Sequence, residues 1–228
     1  GVPVLDPTSL DLIHWGASFG PLTIGFEWWR LLTSTFLHVG LLHIALNMWC
    51  LLSLGLLSES YFGSASFVLG YLICGLAGAL LSLALHPNRV GAGASGAIFG
   101  VAGRTYVATL MARRRNPSLG IAAPRQLGSF LIINLVLGQT IPIIDNSAHV
   151  GGMLAGALIG LADPMPARPG ADRRRHLAAL GTVGALAIAA GAFALGLTRA
   201  VSVDERQQVL EQIQQEERMV PSTDPRRP

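Results

Sequence analysis

Long apolar runs separated by short polar links dominate this chain. Residues 38–57 and 61–85 contain no Asp, Glu, Lys or Arg, and four further apolar runs follow them. Each run approaches the roughly 20 residues that a helix needs to cross the hydrocarbon core of a bilayer. The pattern therefore predicts an all-α fold, a polytopic membrane helix bundle with six transmembrane helices in this chain. The four later runs are 95–112, 127–144, 148–163 and 177–198.

Less regular sequence flanks the runs at both ends. The N-terminal part contains several prolines and three tryptophans, and tryptophan favours the membrane interface. The C-terminal part is charged and Gln-rich; 203–219 is expected to form a short surface helix or to be disordered. The predicted organisation is an outer interfacial loop (1–37), core helices (38–163), a basic loop (164–176), an additional C-terminal transmembrane helix (177–198) and a polar tail (199–228).

The distribution of arginine predicts the orientation of the helices. One cluster, 113–115 with Arg125, and a second within 168–175 lie in two short links between apolar runs. By the positive-inside rule both links are cytoplasmic. Ser95 and His149, which begin the runs beside these links, then lie near the outer face. The chain is therefore expected in the cell membrane, with its polar site opening towards the extracytoplasmic side.

Composition agrees with a membrane protein. The chain is 51% hydrophobic and 13% charged, whereas a soluble domain has about 25% charged residues. The net charge of +3 does not indicate nucleic-acid binding, because the arginines lie at the ends of the apolar runs. Cys50 and Cys74 lie inside apolar runs and are interpreted as packing residues. Arg104, inside the third run, is expected to reach towards the cytoplasmic side, with Glu59 as a candidate partner.

Four polar residues occur at the outer ends of the apolar runs. Ser95 lies between glycines, and His149 begins another run. Alone, Ser95 is most simply a small helix-packing residue. His43 and Asn47 are four apart and so share one helix face. They are either interhelical hydrogen-bonding groups or part of a polar site with Ser95 and His149.

These residue types suit nucleophilic catalysis. Serine needs an adjacent base, which His149 can provide. An acyl intermediate needs donors directed at its oxyanion, which the Asn47 amide, the His43 ring and the Ser95 N–H can provide. Glycines four apart on two helices would allow the close approach that proton transfer requires. Such pairs occur at Gly96 and Gly100 and at Gly152 and Gly156.

Four motifs in order resemble the rhomboid intramembrane serine proteases, in the bacterial form with an extra C-terminal transmembrane helix. The resemblance covers about residues 10–163. The motifs are Trp29-Arg30, the set His38, His43 and Asn47, then Gly93-x-Ser95-Gly96-x-x-x-Gly100 and Ala148-His149-x-x-Gly152-x-x-x-Gly156.

The resemblance implies a Ser95–His149 dyad without a carboxylate partner, cleaving transmembrane protein substrates within the lipid bilayer without a metal or cofactor. It implies His43, Asn47 and the Ser95 N–H as oxyanion donors, and Phe99 stacking on His149 where the family commonly has tyrosine. It also implies a mobile gate at 127–144 and a cap at 138–147. The supporting residues it implies are His38, Gly93, Phe99, Gly152 and Asn146.

One departure concerns the beginning of the chain. Rhomboids have a membrane helix before the Trp-Arg loop, whereas this chain begins at Gly1 within that loop. The first family helix is therefore expected to be missing, which makes the run 177–198 an additional helix after the core.

Other functions remain open at this stage. A rhomboid-like protein without protease activity would bind membrane clients, although such proteins usually lack the serine or the histidine. A transporter would predict repeats or broken helices around a midplane site. A metalloprotease would need HExxH, and the chain has no such motif.

Overall fold

A computed structural model describes residues 7–24, 27–115, 117 and 125–162, together with the single positions 181, 184, 207, 208, 211 and 215. Four short elements begin the described chain: α1 (Ser9–Trp15), α2 (Gly20–Thr23), α3 (Arg30–Thr33) and a 3₁₀ turn (Ser34–Phe36). Five longer helices follow: α4 (Leu41–Phe62), α5 (Ser64–Leu85), α6 (Ser95–Arg115), α7 (Arg125–Thr140) and α8 (Asn146–Ala162). The described fold is all-α, as predicted.

Glycines with positive φ set the boundaries of the first two long helices. Gly40 (φ 86°) precedes α4, so this helix begins three residues later than the predicted run. Gly63 (φ 79°) separates α4 from α5 and is the whole link between them. Only glycine adopts this region without a Cβ penalty. The sequence pattern predicted both helices, and these glycines determine where they start and stop.

Two of the described helices are long and apolar enough to cross a membrane, judged by length and composition alone. They are α4 and α5. Of the others, α7 and α8 have 16 and 17 residues, and α6 carries Arg104 and three arginines at its C-terminus. The predicted number of six transmembrane helices is therefore not confirmed within the described part of the chain.

The helix α6 lies at the centre of the bundle. Thirteen of its 21 residues are buried. Ile98 and Val101 pack with Tyr71 of α5, and Phe99 packs with Leu131 of α7. By contrast, α4 has only four buried residues among 22 and exposes a row of large apolar side chains. The N-terminus of α6, which carries Ser95, is therefore surrounded by the other helices.

The backbones of α6 and α8 meet through glycines. A Cβ added at Gly152 would overlap the carbonyl group of Gly96, and one added at Gly156 would overlap that of Gly100. This confirms the close approach that the spacing of these glycines predicted. Each helix can lie against the backbone of the other because neither has a side chain at these positions.

The N-terminal segment is held together by Arg30, the arginine of the Trp-Arg motif. Its side chain is buried and pairs with Glu27, and it donates to the carbonyl oxygens of Ile13 and Ala17. These bonds attach the end of α1 to α3. At the other end of α1, the Thr8 hydroxyl and backbone N–H hold the pKa of Asp11 below its usual value in an exposed capping box.

Arg104 is buried inside the bundle, and its expected reach towards the cytoplasmic side stays a prediction. Its side chain is 2% exposed and donates to the carbonyl oxygen (2.8 Å) and the hydroxyl (2.7 Å) of Ser66 on α5. The guanidinium also lies 3.8 Å from the ring centroid of Phe62. A buried charge needs such partners, and a turn of α5 provides them. Cys50 and Cys74 are free thiols, as predicted.

Several predicted segments lie largely outside the described residues. These include the basic loop 164–176. Of the helix predicted at 177–198, only Gly181 and Gly184 are described, both helical, and a Cβ at Gly184 would lie 3.7 Å from Ile73 on α5. Of the tail 199–228, four residues are described, all helical and exposed. The predicted domain boundaries in this part of the chain stay predictions.

The glycine contact makes a stability prediction. In Gly152→Ala the new methyl group meets the Gly96 carbonyl, so α6 and α8 must separate; overpacking of this kind costs about 1–3 kcal/mol. Gly181→Ala is the matched control, because a Cβ there would meet no atom of the described residues within 4 Å. We expect a lower midpoint of thermal unfolding in detergent for Gly152→Ala and no loss for Gly181→Ala. Equal midpoints for the two variants would contradict this packing.

Candidate active site

Ser95 is the first residue of α6. The helix begins here because the Ala94 carbonyl accepts the first helical hydrogen bond, from the Ile98 N–H at 3.0 Å. Backbone N–H groups in the first turn of a helix have no partner within it and lie at the positive end of its dipole. The Ser95 hydroxyl therefore lies beside donors suited to a negative charge.

Gly93, two residues before Ser95, fixes the approach of the chain to the serine. It has φ 142°, a conformation that favours glycine, and its N–H donates to the Ser34 carbonyl at 2.9 Å. Further bonds join the same link to the N-terminal segment, namely Gly20 N–H to the Pro87 carbonyl and the bridge between Ser18 and Gly91. The N-terminal segment thus holds the link that leads into Ser95.

His149 lies in the first turn of α8 and is 5% exposed. Its ring stacks on that of Phe99 with a centroid separation of 4.0 Å and an interplanar angle of 9°. This confirms the stacking predicted for Phe99. The Nδ1 atom of His149 is buried without a hydrogen-bond partner among the described residues. The stack therefore fixes the plane of the ring while leaving this nitrogen unpaired.

The structure brings the two chain segments of the predicted dyad into contact. A Cβ added at Gly96, directly after Ser95, would lie 3.1 Å from the carbonyl oxygen of Ala148, directly before His149. Within the described residues, however, no hydrogen bond joins the Ser95 hydroxyl to the His149 ring. Catalytic hydrogen bonds are often long before substrate binds. The contact therefore shows that the two segments are neighbours, and does not by itself show a hydrogen-bonded dyad.

His43 lies on the other side of Gly93. Its Nδ1 accepts the Val39 N–H at 3.2 Å, so the neutral ring carries its proton on Nε2. A Cβ built on Gly93 would lie 3.1 Å from this Nε2 and 3.8 Å from the Ser95 Oγ. The His43 donor and the serine hydroxyl therefore face the same glycine. The His38 ring packs edge-on against His43 at 5.2 Å between centroids.

Asn47 is buried one turn after His43. Its amide donates to the His43 carbonyl at 3.1 Å, which confirms that the two residues share one face of α4. An Asn amide has two N–H groups, so this bond leaves one for another acceptor. No hydrogen bond between Asn47 and Ser95 is found among the described residues.

A cavity of about 40 Å³ adjoins the serine. A water molecule needs at least about 10–15 Å³ of such volume, so the cavity has room for roughly two or three. Ser95, Gly93 and Gly96 line it together with several hydroxyl groups and one carboxylate. The polar side chains among the remaining lining residues are Ser18, Ser34, Thr35, Ser82 and Asp145.

That carboxylate, Asp145, was missed from the sequence. It accepts a hydrogen bond from the Ser82 hydroxyl and one from the Ala148 N–H at 3.1 Å. An aspartate directly before an apolar run is a recognised signal for the start of a helix and could have identified it. Its neighbour Asn146, a predicted supporting residue, donates instead to the Leu135 carbonyl of α7 at 3.0 Å.

No group of His, Cys, Asp and Glu side chains that could hold a metal occurs in the described part of the chain.

The chain belongs to the rhomboid family, since the model of the Rhomboid domain matches residues 25–164. Rhomboids are membrane proteins. Rhomboid protease GluP from Bacillus subtilis (strain 168) is 38% identical over 173 residues, covering 74% of this chain and 32% of that protein. RHOMBOID-like protein 7 from Arabidopsis thaliana is 35% identical over 159 residues, 69% of this chain and 50% of that protein.

One relative is named for a lack of activity. Inactive RHOMBOID-like protein 8 from Arabidopsis thaliana is 33% identical over 157 residues, covering 67% of this chain and 43% of that protein. The chain thus spans 32–50% of the length of these three relatives.

Proposed function

We propose that this protein is an intramembrane serine endopeptidase in which Ser95 is the nucleophile and His149 the base. The observation that carries the proposal is the contact of Gly96 with Ala148, which places the serine and histidine segments side by side, with His149 stacked on Phe99. The similarity to a Bacillus rhomboid protease supports it.

The proposed reaction has two halves. The Ser95 Oγ attacks the carbonyl carbon of the scissile peptide while its proton passes to His149. Collapse of the tetrahedral intermediate breaks the C–N bond, and the histidine returns the proton to the leaving amine. A water molecule then attacks the acyl carbon, giving one proton to His149, and the ester breaks with return of that proton to the Ser95 oxygen. The enzyme is thereby regenerated.

Three groups are proposed to stabilise the oxyanion. They are the His43 Nε2–H, the second N–H of the Asn47 amide and the Ser95 backbone N–H. The geometry that supports this is the position of His43 Nε2 beside Gly93 and the location of Ser95 at a helix N-terminus. Donors fixed in advance in a site that excludes bulk water are worth more than the same donors in water.

Hydrolysis within a membrane also requires water at the acyl group. The cavity beside Ser95 has room for it and is lined by hydroxyl groups that can hold it. The cavity therefore supports hydrolysis of the acyl intermediate, because the second half of the reaction needs water as its nucleophile.

The proposed substrates are transmembrane segments of other membrane proteins, entering past α7. Only Leu127 and Leu131 are buried in this 16-residue helix, and the Asn146–Leu135 bond is among the few polar contacts holding it. Large apolar side chains of α7, including Ile132, Ile133 and Val136, are exposed. A weakly packed apolar helix is suited to serve as the gate, with the following turn as the cap.

A catalytically inactive protein that binds membrane clients is the second candidate. The relative named as inactive favours it. The two candidates differ in one chemical property, because only a protease has a serine that reacts with a fluorophosphonate.

Substitutions in the site distinguish these functions. Ser95→Ala and His149→Ala should each abolish cleavage of a model membrane substrate, and the double variant should be no worse, since the two groups act as one unit. Asn47→Ala should remain active but slower, because losing one oxyanion donor costs about 10²–10³ in soluble proteases. We expect a smaller loss here, since His43 and the backbone remain. Cleavage rates and fluorophosphonate labelling measure these effects.

Two results would contradict the assignment in different ways. Full cleavage by Ser95→Ala would remove the protease function as stated. Undiminished cleavage by Asn47→Ala would leave the dyad in place and remove Asn47 from the oxyanion site.

We further propose that the protein lies in the cell membrane with six transmembrane helices, including 177–198. In this topology the links 113–125 and 164–176 are cytoplasmic, and the tail 199–228 is outside. The arginine clusters of these links support the orientation through the positive-inside rule, as does the exposure of Arg113, Arg114 and Arg115 at the end of α6.

An accessibility experiment on intact cells tests this orientation. An impermeant maleimide should label a cysteine introduced at Ser202 and spare one introduced at Ser118. Permeabilised cells are the control, in which both should react. The opposite pattern on intact cells would reverse the orientation.

A further inference from the structure

Asp145 makes three hydrogen bonds at the start of the helix that carries His149. Its carboxylate accepts the Ala148 N–H at 3.1 Å, and its backbone carbonyl accepts the N–H of His149 itself at 3.1 Å. The other carboxylate oxygen accepts the Ser82 hydroxyl, across 63 residues of sequence. One residue thus bonds the backbone around His149 and also reaches α5.

The bond to Ser82 attaches Asp145 to a buried position on α5. Ser82 lies near the end of α5 and is 5% exposed. Four residues earlier, one turn back on the same face, α5 already packs on the first turn of α8, since a Cβ at Gly78 would lie 2.7 Å from the Ala148 carbonyl. The turn before α8 is also held from the link 86–94, because Arg89 donates to the Pro142 carbonyl at 2.8 Å. The start of α8 is therefore attached to parts of the bundle other than α7.

The neighbouring residue attaches the same turn to α7. Asn146 donates to the Leu135 carbonyl, and a Cβ at Gly138 would overlap the Asn146 side chain. A displacement of α7 would break this bond and leave the bonds of Asp145 intact. Asn146 therefore attaches the start of α8 to α7, a helix with few buried residues, whereas Asp145 attaches it to α5.

We propose that Asp145 is a positioning residue for His149. Its carboxylate bridges Ser82 and the Ala148 N–H, and so holds the first turn of α8 against α5 with the imidazole in place for the Ser95 proton, including when α7 is displaced. The inference rests on the proposed protease function. This positioning depends on hydrogen bonds and not on the negative charge. An asparagine of the same shape can also accept from the Ala148 N–H and bond Ser82.

The test compares Asp145→Asn, Asp145→Ala and Ser82→Ala in the full chain. Asp145→Ala should lower kcat by about tenfold to a hundredfold, the scale expected for a displaced catalytic group, with little change in KM. It should slow fluorophosphonate labelling of Ser95 to a similar extent. Asp145→Asn should retain both rates within about threefold, since the amide preserves the bonds. Ser82→Ala should lose less, and adding it to Asp145→Ala should cost nothing more, because the two residues share one interaction.

Asp11→Ala is the matched control, since it removes an aspartate that also makes capping bonds, in the exposed box of α1. It should leave kcat and labelling unchanged. Hydrogen exchange supplies a readout independent of activity: the amides of Ala148 and His149 should exchange faster in Asp145→Ala than in the wild type or Asp145→Asn.

The outcomes separate this inference from the proposed function. Wild-type kcat and labelling in Asp145→Ala, with Ser95→Ala inactive, would overturn the inference and keep the protease. An Asp145→Asn variant as slow as Asp145→Ala would also overturn it, by assigning the effect to charge. If the wild type neither labels nor cleaves, the proposed function fails. In that case, unchanged amide exchange in Asp145→Ala would still contradict the positioning of α8.

Discussion

The backbones of α6 and α8 lie close enough to exclude any side chain between them, and the candidate site depends on this contact. Gly152 and Gly156 lie against the carbonyl groups of Gly96 and Gly100, where a Cβ would overlap them. Association of helices in lipid gains little from the hydrophobic effect and relies on such close packing. Because Ser95 and His149 begin these two helices, the packing that stabilises the bundle also makes the serine and the histidine neighbours.

The surrounding elements hold the two ends of this contact by different means. The N-terminal segment, organised around the buried Arg30, fixes the link before Ser95 through backbone bonds such as that of Gly93 to Ser34. At the start of α8, the His149 ring stacks on Phe99, and the Asp145 carboxylate accepts the Ala148 N–H. The helix α7 has few buried residues and is bonded to the turn at a different residue. A rigid centre next to one weakly packed helix is what a protease needs if its substrate must enter from the membrane.

Much of this arrangement could be predicted from the sequence, because its causes are local or periodic. Apolar runs predicted the long helices, and glycine spacing predicted the α6–α8 contact. The Phe99 stack was implied by the resemblance to rhomboids. The partner of Arg104 was not predicted, because Ser66 comes close to it only through tertiary structure. The Ser82–Asp145 bond was missed for the same reason, although Asp145 carried a helix-start signal. The orientation of the Ser95 hydroxyl relative to the His149 ring could not be predicted, because the spacing of residues in the sequence does not determine side-chain torsion angles.

The most direct test of the central claim is to join the two residues chemically. A 7-amino-4-chloro-3-alkoxyisocoumarin acylates a reactive serine as its lactone ring opens. The 7-amino group then expels the chloride, and a histidine close to the serine adds to the carbon that carried it. Mass spectrometry of the digested adduct should find a single species in which the reagent bridges the peptides containing Ser95 and His149, and Ser95→Ala should give none. An adduct bridging other residues, or no modification of Ser95 in a folded protein, would contradict the proposal that these two residues form the catalytic pair.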